Sequence, residues 1–135
     1  MGSRRHNKKG RSNREGQYWL LPYSMARHPQ FRSLSGSALK VLVELHCRFN
    51  GSNNGNLTLS LREICDLLGM GKETARRAYE ELEQKGFIQK TQAGHFYGRR
   101  ATEWAVTDEK LNDNNATRDW QKKPINSSIK KNPRF

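Results

Sequence analysis

The sequence predicts a mainly α protein with a small β-hairpin (an α+β fold), in which a three-helix core carries a two- or three-stranded sheet. The chain has 135 residues, which is enough for one domain and leaves no room for a second of ordinary size. Between about residues 35 and 85, apolar side chains recur at helical spacing in three runs that turn residues separate. Two later runs are short and β-prone, and the glycines of the link between them are typical of a hairpin.

The first core helix is predicted to begin after Ser35, a residue type that caps helices. It continues until the turn sequence of residues 50–55, which is rich in Asn and Gly. Its apolar positions follow a period of 3.6 residues: Ala38, Leu39, Leu42, Val43, Leu45, His46 and Phe49. Leu57 and Leu59 then predict a very short strand.

The second and third core helices are separated by a tight turn at residues 69–71. Ser60 and Glu63 predict a capping box, in which the hydroxyl and the carboxylate would each satisfy a backbone donor, and Gly69 is predicted to end that helix. The third helix runs from about Lys72 to Lys85. Its buried stripe is predicted to be Ala75, Ala78, Tyr79 and Leu82. Residues 87–91 and 101–107 predict the two strands, with Trp104 facing the core.

The domain is expected to cover residues 17–107, with an apolar extended lead-in at residues 18–23. Trp19 and Tyr23 are expected to pack on the core or, alternatively, to form a dimer contact. Pro29 suits the first position of a single helical turn. Residues 1–16 have no apolar side chain beyond Met1 and are predicted to be a disordered basic arm. Residues 108–135 are predicted to be a largely disordered polar basic tail, with at most a short helix near residues 108–112.

The net charge of +12 is concentrated at the two ends of the chain. The arm supplies six basic residues against one glutamate, the tail supplies five after residue 119, and the middle is nearly neutral. Basic ends on a neutral core favour a polyanionic partner, most often nucleic acid. The basic residues of the arm are Arg4, Arg5, Lys8, Lys9, Arg11 and Arg14.

Several other functions are disfavoured by the residue types and their spacing. No apolar run is long enough to span a bilayer or to form a signal peptide, so we expect a cytoplasmic, nucleoid-associated protein. Cys47 and Cys65 make no metal, redox or disulfide pattern. The four histidines show no metal-ligand spacing, and His46 is expected to be half-buried and hydrogen-bonded rather than a ligand. No catalytic arrangement is present, so we expect no enzyme, cofactor, metal or small-molecule ligand.

The predicted order of helix, short strand, helix, turn, helix and hairpin is that of a winged helix-turn-helix. Residues 61–88 resemble the helix-turn-helix of GntR- and MarR-type bacterial regulators, in which a stretch like Thr74-Ala-Arg-Arg-Ala78 opens the recognition helix. A stretch like Leu82-Glu-Gln-Lys-Gly-Phe-Ile88 then leads into the wing. Residues 98–104 resemble the wing of small winged-helix proteins from bacterial phages, plasmids and integrative elements. The resemblance covers about residues 34–107 and implies DNA binding.

The first turns of the predicted recognition helix present polar side chains suited to duplex DNA: Lys72, Glu73, Thr74, Arg76 and Arg77. Arg can bind guanine O6 and N7 bidentately, while Lys and Thr suit phosphates. Glu73 either accepts from cytosine N4 or stabilises the helix N-terminus. The alternative for the two arginines is i,i+4 pairing with Glu80 and Glu81.

The predicted wing adds further candidates for contact with a minor groove or with phosphates: His95, Tyr97, Arg99 and Arg100. The alternative is an ordinary solvated turn. Taken together, the sequence predicts a sequence-specific double-stranded DNA-binding protein, a transcriptional regulator or repressor of a bacterial mobile element. One module reads few base pairs, so a homodimer or two copies paired on DNA are expected. The alternatives are an origin-binding replication or recombination accessory protein, and an RNA-binding or protein-interaction winged helix.

Overall fold

The structure is a computed structural model, which describes residues 16–94, 101–111 and 114–122. Two short helical turns precede the three helices of the core, and a two-stranded antiparallel sheet and a last helical turn follow them. In chain order the elements are α1 (Tyr23–Ala26), α2 (Pro29–Arg32), α3 (Gly36–Arg48), α4 (Leu61–Leu68), α5 (Lys72–Gln84), β1 (Ile88–Gln92), β2 (Glu103–Val106) and α6 (Asp119–Lys122). The predicted α+β fold is confirmed.

The helix ends follow from local chemistry that the sequence predicts. Ser35 Oγ accepts from the Ala38 amide at 3.1 Å, and Ser60 Oγ accepts from the Glu63 amide at 3.1 Å. Gly69 ends α4 at φ 66° and ψ 30°, a left-handed conformation that glycine adopts without steric cost. The capping box is only half formed, because the Glu63 carboxylate accepts from the Ser60 hydroxyl and pairs with Arg48 instead of a backbone donor.

Helix α5 lies across α3 and α4 and buries the predicted stripe, including Ala75, Ala78 and Leu82. Tyr79 joins this helix to the sheet, since its ring stacks on Trp104 with 4.8 Å between centroids and an interplanar angle of 9°. Its hydroxyl donates to the buried Leu59 carbonyl. The orientation of α5 is therefore fixed from both sides, by helix packing and by an aromatic stack.

The sheet is a hairpin in which Ile88 pairs with Val106 and Lys90 with Trp104. The register shifts between Lys90 and Gln92, a β-bulge that increases the local twist. The expected short strand at Leu57 is a single bridge to Trp104. Three core helices with this hairpin at their edge form a winged helix-turn-helix. None of the helices in the described part of the chain has the length and apolarity needed to cross a membrane.

The lead-in packs on the core through Trp19 but not through Tyr23. The Trp19 ring stacks on His46 with 4.1 Å between centroids, and its indole N–H donates to Asp108 at 2.9 Å. Tyr23 starts α1 and is 77% exposed, with the Arg27 guanidinium 5.3 Å from its ring centroid. The expectation that Tyr23 packs on the core is wrong, because the turn after Pro22 directs its side chain outward.

The segment after β2 is more ordered than its polar composition predicts. Trp120 is only 2% exposed and packs against Phe87 and His28, with ring centroids 6.1 Å and 4.9 Å apart. The Arg118 amide donates to the Thr107 carbonyl at 2.8 Å. The expected disorder is wrong for residues 114–122, because one large aromatic side chain holds the segment on the domain. Nor is there a helix at residues 108–111, which continue a turn and end in a bridge from Leu111 to Asn114.

Candidate nucleic-acid interface

The N-terminal half of α5 presents most of its side chains to solvent. All five residues that the sequence predicts to meet DNA on this helix are exposed: Lys72, Glu73, Thr74, Arg76 and Arg77. They are exposed because the opposite stripe is buried on α3, α4 and the sheet, which leaves the remaining arc of the helix in solvent. A polar, solvent-facing helix held firmly by its domain has the shape that a major groove accepts.

Arg76 is held by two carboxylates of its own helix. It pairs with Glu73 and Glu80, and its Nε donates to Glu73 Oε2 at 3.1 Å. The hydrogen bond from Arg76 lowers the pKa of Glu73, and the same bond raises the pKa of Arg76, so both groups remain charged. Since the Arg76 side chain is still 51% exposed, the guanidinium is oriented but not covered.

Arg77 is the more accessible of the two arginines. Its side chain is 75% exposed, and its Nε lies 3.5 Å from Glu73 Oε1. The i,i+4 pairing that the sequence left as the alternative is present for Arg76 with Glu80, whereas Arg77 lies near Glu73 rather than Glu81. The Glu81 carboxylate turns towards α3, where it accepts from the Ser35 amide at 2.8 Å and lies 3.6 Å from the Lys85 ammonium.

A cleft of about 390 Å³ separates α5 from the base of the hairpin and the start of α4. Arg76 and Lys90 both line it, and the Lys90 ammonium lies 5.4 Å from the Trp104 ring centroid. Thr102 also lines the cleft, and its hydroxyl accepts from the Gly94 amide at 3.1 Å across the base of the hairpin. The same cleft is therefore lined by a cation of the helix and a cation of the sheet. The sequence does not predict a role for Lys90, because its position in a strand gives no signal that it lies near α5.

The other predicted contacts lie outside the described residues. These are the wing candidates His95, Tyr97, Arg99 and Arg100, and the arm candidates Arg4, Arg5, Lys8, Lys9, Arg11 and Arg14.

Residues 32–88 match the family model of a helix-turn-helix domain. The matched segment runs from the end of α2 to the first residue of β1 and so contains all three core helices; it is less than half of the chain. The match supports a helix-turn-helix DNA-binding protein, and domains of this family are typically non-enzymatic. No curated protein and no solved structure matches the chain significantly.

A second polar cluster lies near the C-terminal end of α3. His46 is brought next to Asp108 and Glu109, and one donor atom from each lies within 4.8 Å of the others. The sequence does not predict this cluster, because the histidine and the two carboxylates are far apart in the chain and share no motif.

Proposed function

We propose that the protein binds double-stranded DNA sequence-specifically through α5 and regulates transcription of a bacterial mobile element. The observation that carries the proposal is the exposed, arginine-bearing N-terminal half of α5 beside the hairpin. The match of residues 32–88 to a helix-turn-helix domain supports the same function. The proposed partner is duplex DNA in the cytoplasm, and no catalytic step is required of the protein.

The proposed reading of bases depends on an exchange of partners at Arg76. In the free protein Glu73 and Glu80 orient its guanidinium along the helix. Exposed ion pairs contribute little to stability, whereas a bidentate arginine–guanine contact discriminates strongly against other bases. Moving from the carboxylates to a guanine is therefore favourable. The exchange also frees Glu73 to accept from a cytosine N4, while Arg77 remains open to a base or a phosphate.

The phosphate attraction must come mainly from outside α5. This helix carries four glutamates against three basic side chains, so its own charge does not favour a polyanion. The basic arm, the basic residues of the tail and the wing arginines supply the missing positive charge. We therefore assign sequence discrimination to α5 and the sequence-independent affinity to the basic segments.

The regulatory role in a mobile element is supported by the resemblance of residues 98–104 to the wings of small phage, plasmid and integrative-element proteins. A genome offers many competing sites, which favours two copies on a repeated sequence. Association on DNA is proposed here rather than a preformed dimer.

The test begins with selection of duplexes bound by the full chain, followed by binding measurements on the selected site and on random DNA. Arg76→Ala is expected to weaken binding to the selected site by about five- to 150-fold and to random DNA far less. Arg32→Ala is the matched control, because Arg32 is an exposed arginine at the end of α2 and is not part of the N-terminal half of α5.

Deletion of residues 1–16 is expected to act differently. It should weaken binding to the selected site and to random DNA by the same factor. It should also make the affinity less dependent on salt: the slope of log affinity against log salt concentration should flatten by up to about 0.9 for each phosphate that the arm neutralises. If Arg76→Ala weakens binding to both DNAs equally, α5 does not read the base sequence. If neither change alters the affinity for duplex DNA, the proposal that DNA binds through this face is overturned.

A further inference from the structure

The polar cluster behind the lead-in joins two parts of the fold. His46 lies at the C-terminal end of α3, and Asp108 and Glu109 lie in the turn that follows β2. One donor atom from each of the three side chains lies within 4.8 Å of the others. The cluster contains no residue of α5 and plays no part in the proposed reading of DNA.

Two polar side-chain atoms of this cluster are buried without a hydrogen bond. His46 Nε2 and Asp108 Oδ1 are 3.1 Å apart, and their side chains are 3% and 7% exposed. Among the described residues neither atom has a hydrogen-bond partner. The distance is close enough for an ion pair with a protonated imidazole, but the atoms are not aligned for a hydrogen bond. Buried polar atoms without partners are uncommon, and an ion bound by both is one physical explanation.

The separation of these two atoms suits a shared cation. Two ligands that are each about 2.1 Å from a metal ion are about 3.0 Å apart at a right angle and about 3.4 Å apart at the tetrahedral angle, and the observed 3.1 Å lies between these values. An oxygen in that position lies off the axis of the ring nitrogen lone pair. Coordination of one ion by both atoms would therefore explain why they are close and yet not hydrogen-bonded.

The surroundings hold the donor atoms in place. The Trp19 indole N–H donates to Asp108 Oδ2 at 2.9 Å, which leaves Oδ1 turned to His46. The Trp19 ring also stacks on the imidazole at an interplanar angle of 16°. Metal ligands are commonly oriented by such outer contacts. Glu109 supplies a second carboxylate to the cluster.

We propose that His46, Asp108 and Glu109 bind a divalent transition-metal ion, with zinc as the best-suited ion. One imidazole and two carboxylates match the nitrogen and oxygen ligands that zinc accepts. A cleft of about 580 Å³, lined by Trp19, His46 and Glu109 among others, adjoins the cluster and gives room for water in the remaining coordination position. The ion would tie the lead-in, α3 and the turn after β2 together.

The test is titration of the full chain with zinc chloride by isothermal calorimetry, with thermal unfolding as a second readout. We expect one ion per chain and a rise in the melting temperature. His46→Gln, Asp108→Asn and Glu109→Gln should each weaken zinc binding at least about tenfold. The matched control is Asp66→Asn, an exposed aspartate on α4 outside the cluster. Glu109→Gln lies at the partly exposed edge of the cluster, so it tests the proposal without disturbing the core.

Cobalt(II) gives an independent readout, since its visible spectrum reports the ligands around it. The unmodified protein and Asp66→Asn should give the same spectrum, and Glu109→Gln a different one. The proposal is overturned if zinc does not bind saturably. It is also overturned if all three cluster variants bind zinc as tightly as the control does, because the ion would then be held by other residues.

Discussion

Gly86 is the position where the contact between the domain and its C-terminal segment can be tested most directly. It has φ +86°, and a Cβ there would lie 2.7 Å from the Asp119 carbonyl carbon and 2.7 Å from the Trp120 nitrogen. Because these are backbone atoms, a methyl group cannot be accommodated by a side-chain rotation. Gly86→Ala should therefore push α6 away and withdraw Trp120 from Phe87 and His28.

The expected cost has two parts. Alanine at positive φ costs about 1 kcal/mol. Loss of the buried Trp120 ring costs about 3 kcal/mol of unfolding free energy, which is the low end for such a truncation. The low end applies because the indole N–H is buried without a partner among the described residues, and burying it already costs free energy in the unmodified protein. Gly86→Ala should thus cost about 4 kcal/mol and Trp120→Ala about 3 kcal/mol. The double variant should also cost about 4 kcal/mol, since the second change removes a ring already displaced.

The measurement is urea unfolding of the four proteins followed by far-ultraviolet circular dichroism, since a tryptophan substitution would alter a fluorescence signal. The difference between the summed single costs and the double cost should be about 3 kcal/mol. Strictly additive costs would refute the reasoning, because they would mean that Gly86 and Trp120 act separately. A Trp120→Ala variant as stable as the unmodified protein would show that the segment is not held on the domain.

Two further predictions concern the core and the polar cluster. Tyr79→Phe should keep the stack on Trp104 but leave the buried Leu59 carbonyl without its donor, which costs about 1–2 kcal/mol of unfolding free energy in urea; an unchanged value would mean that the hydroxyl bond contributes nothing. Glu109 has a raised pKa, so the folded protein keeps this proton longer than the unfolded chain does. Its contribution to stability is therefore lost as the pH rises from the ordinary glutamate range through the raised pKa. Glu109→Gln, compared with the unmodified protein in a chelator, should flatten this decline, and equal slopes for the two proteins would contradict it.

Much of the fold could be predicted because its signals are local. Ser35 and Gly69 specify helix ends through atoms within a few residues of them, and the spacing of Ala75, Ala78 and Leu82 specifies which side of α5 is buried. Such features depend on neighbours in the chain, so the chain order reveals them. The exposure of the recognition-helix candidates follows from the same spacing, which is why that surface was predictable before its geometry was known.

The tertiary structure decided what depends on residues distant in sequence. Composition predicts disorder at Trp120, but the structure supplies a place for its ring between Phe87 and His28. It also directs Glu81 to α3 rather than to Arg77 and sets Asp108 against His46. Periodicity and capping describe one element at a time, whereas these contacts arise only when separate elements pack together. The sequence by itself therefore determined the helices, the hairpin and the exposed side of α5, and packing determined the partners of individual charged and aromatic side chains.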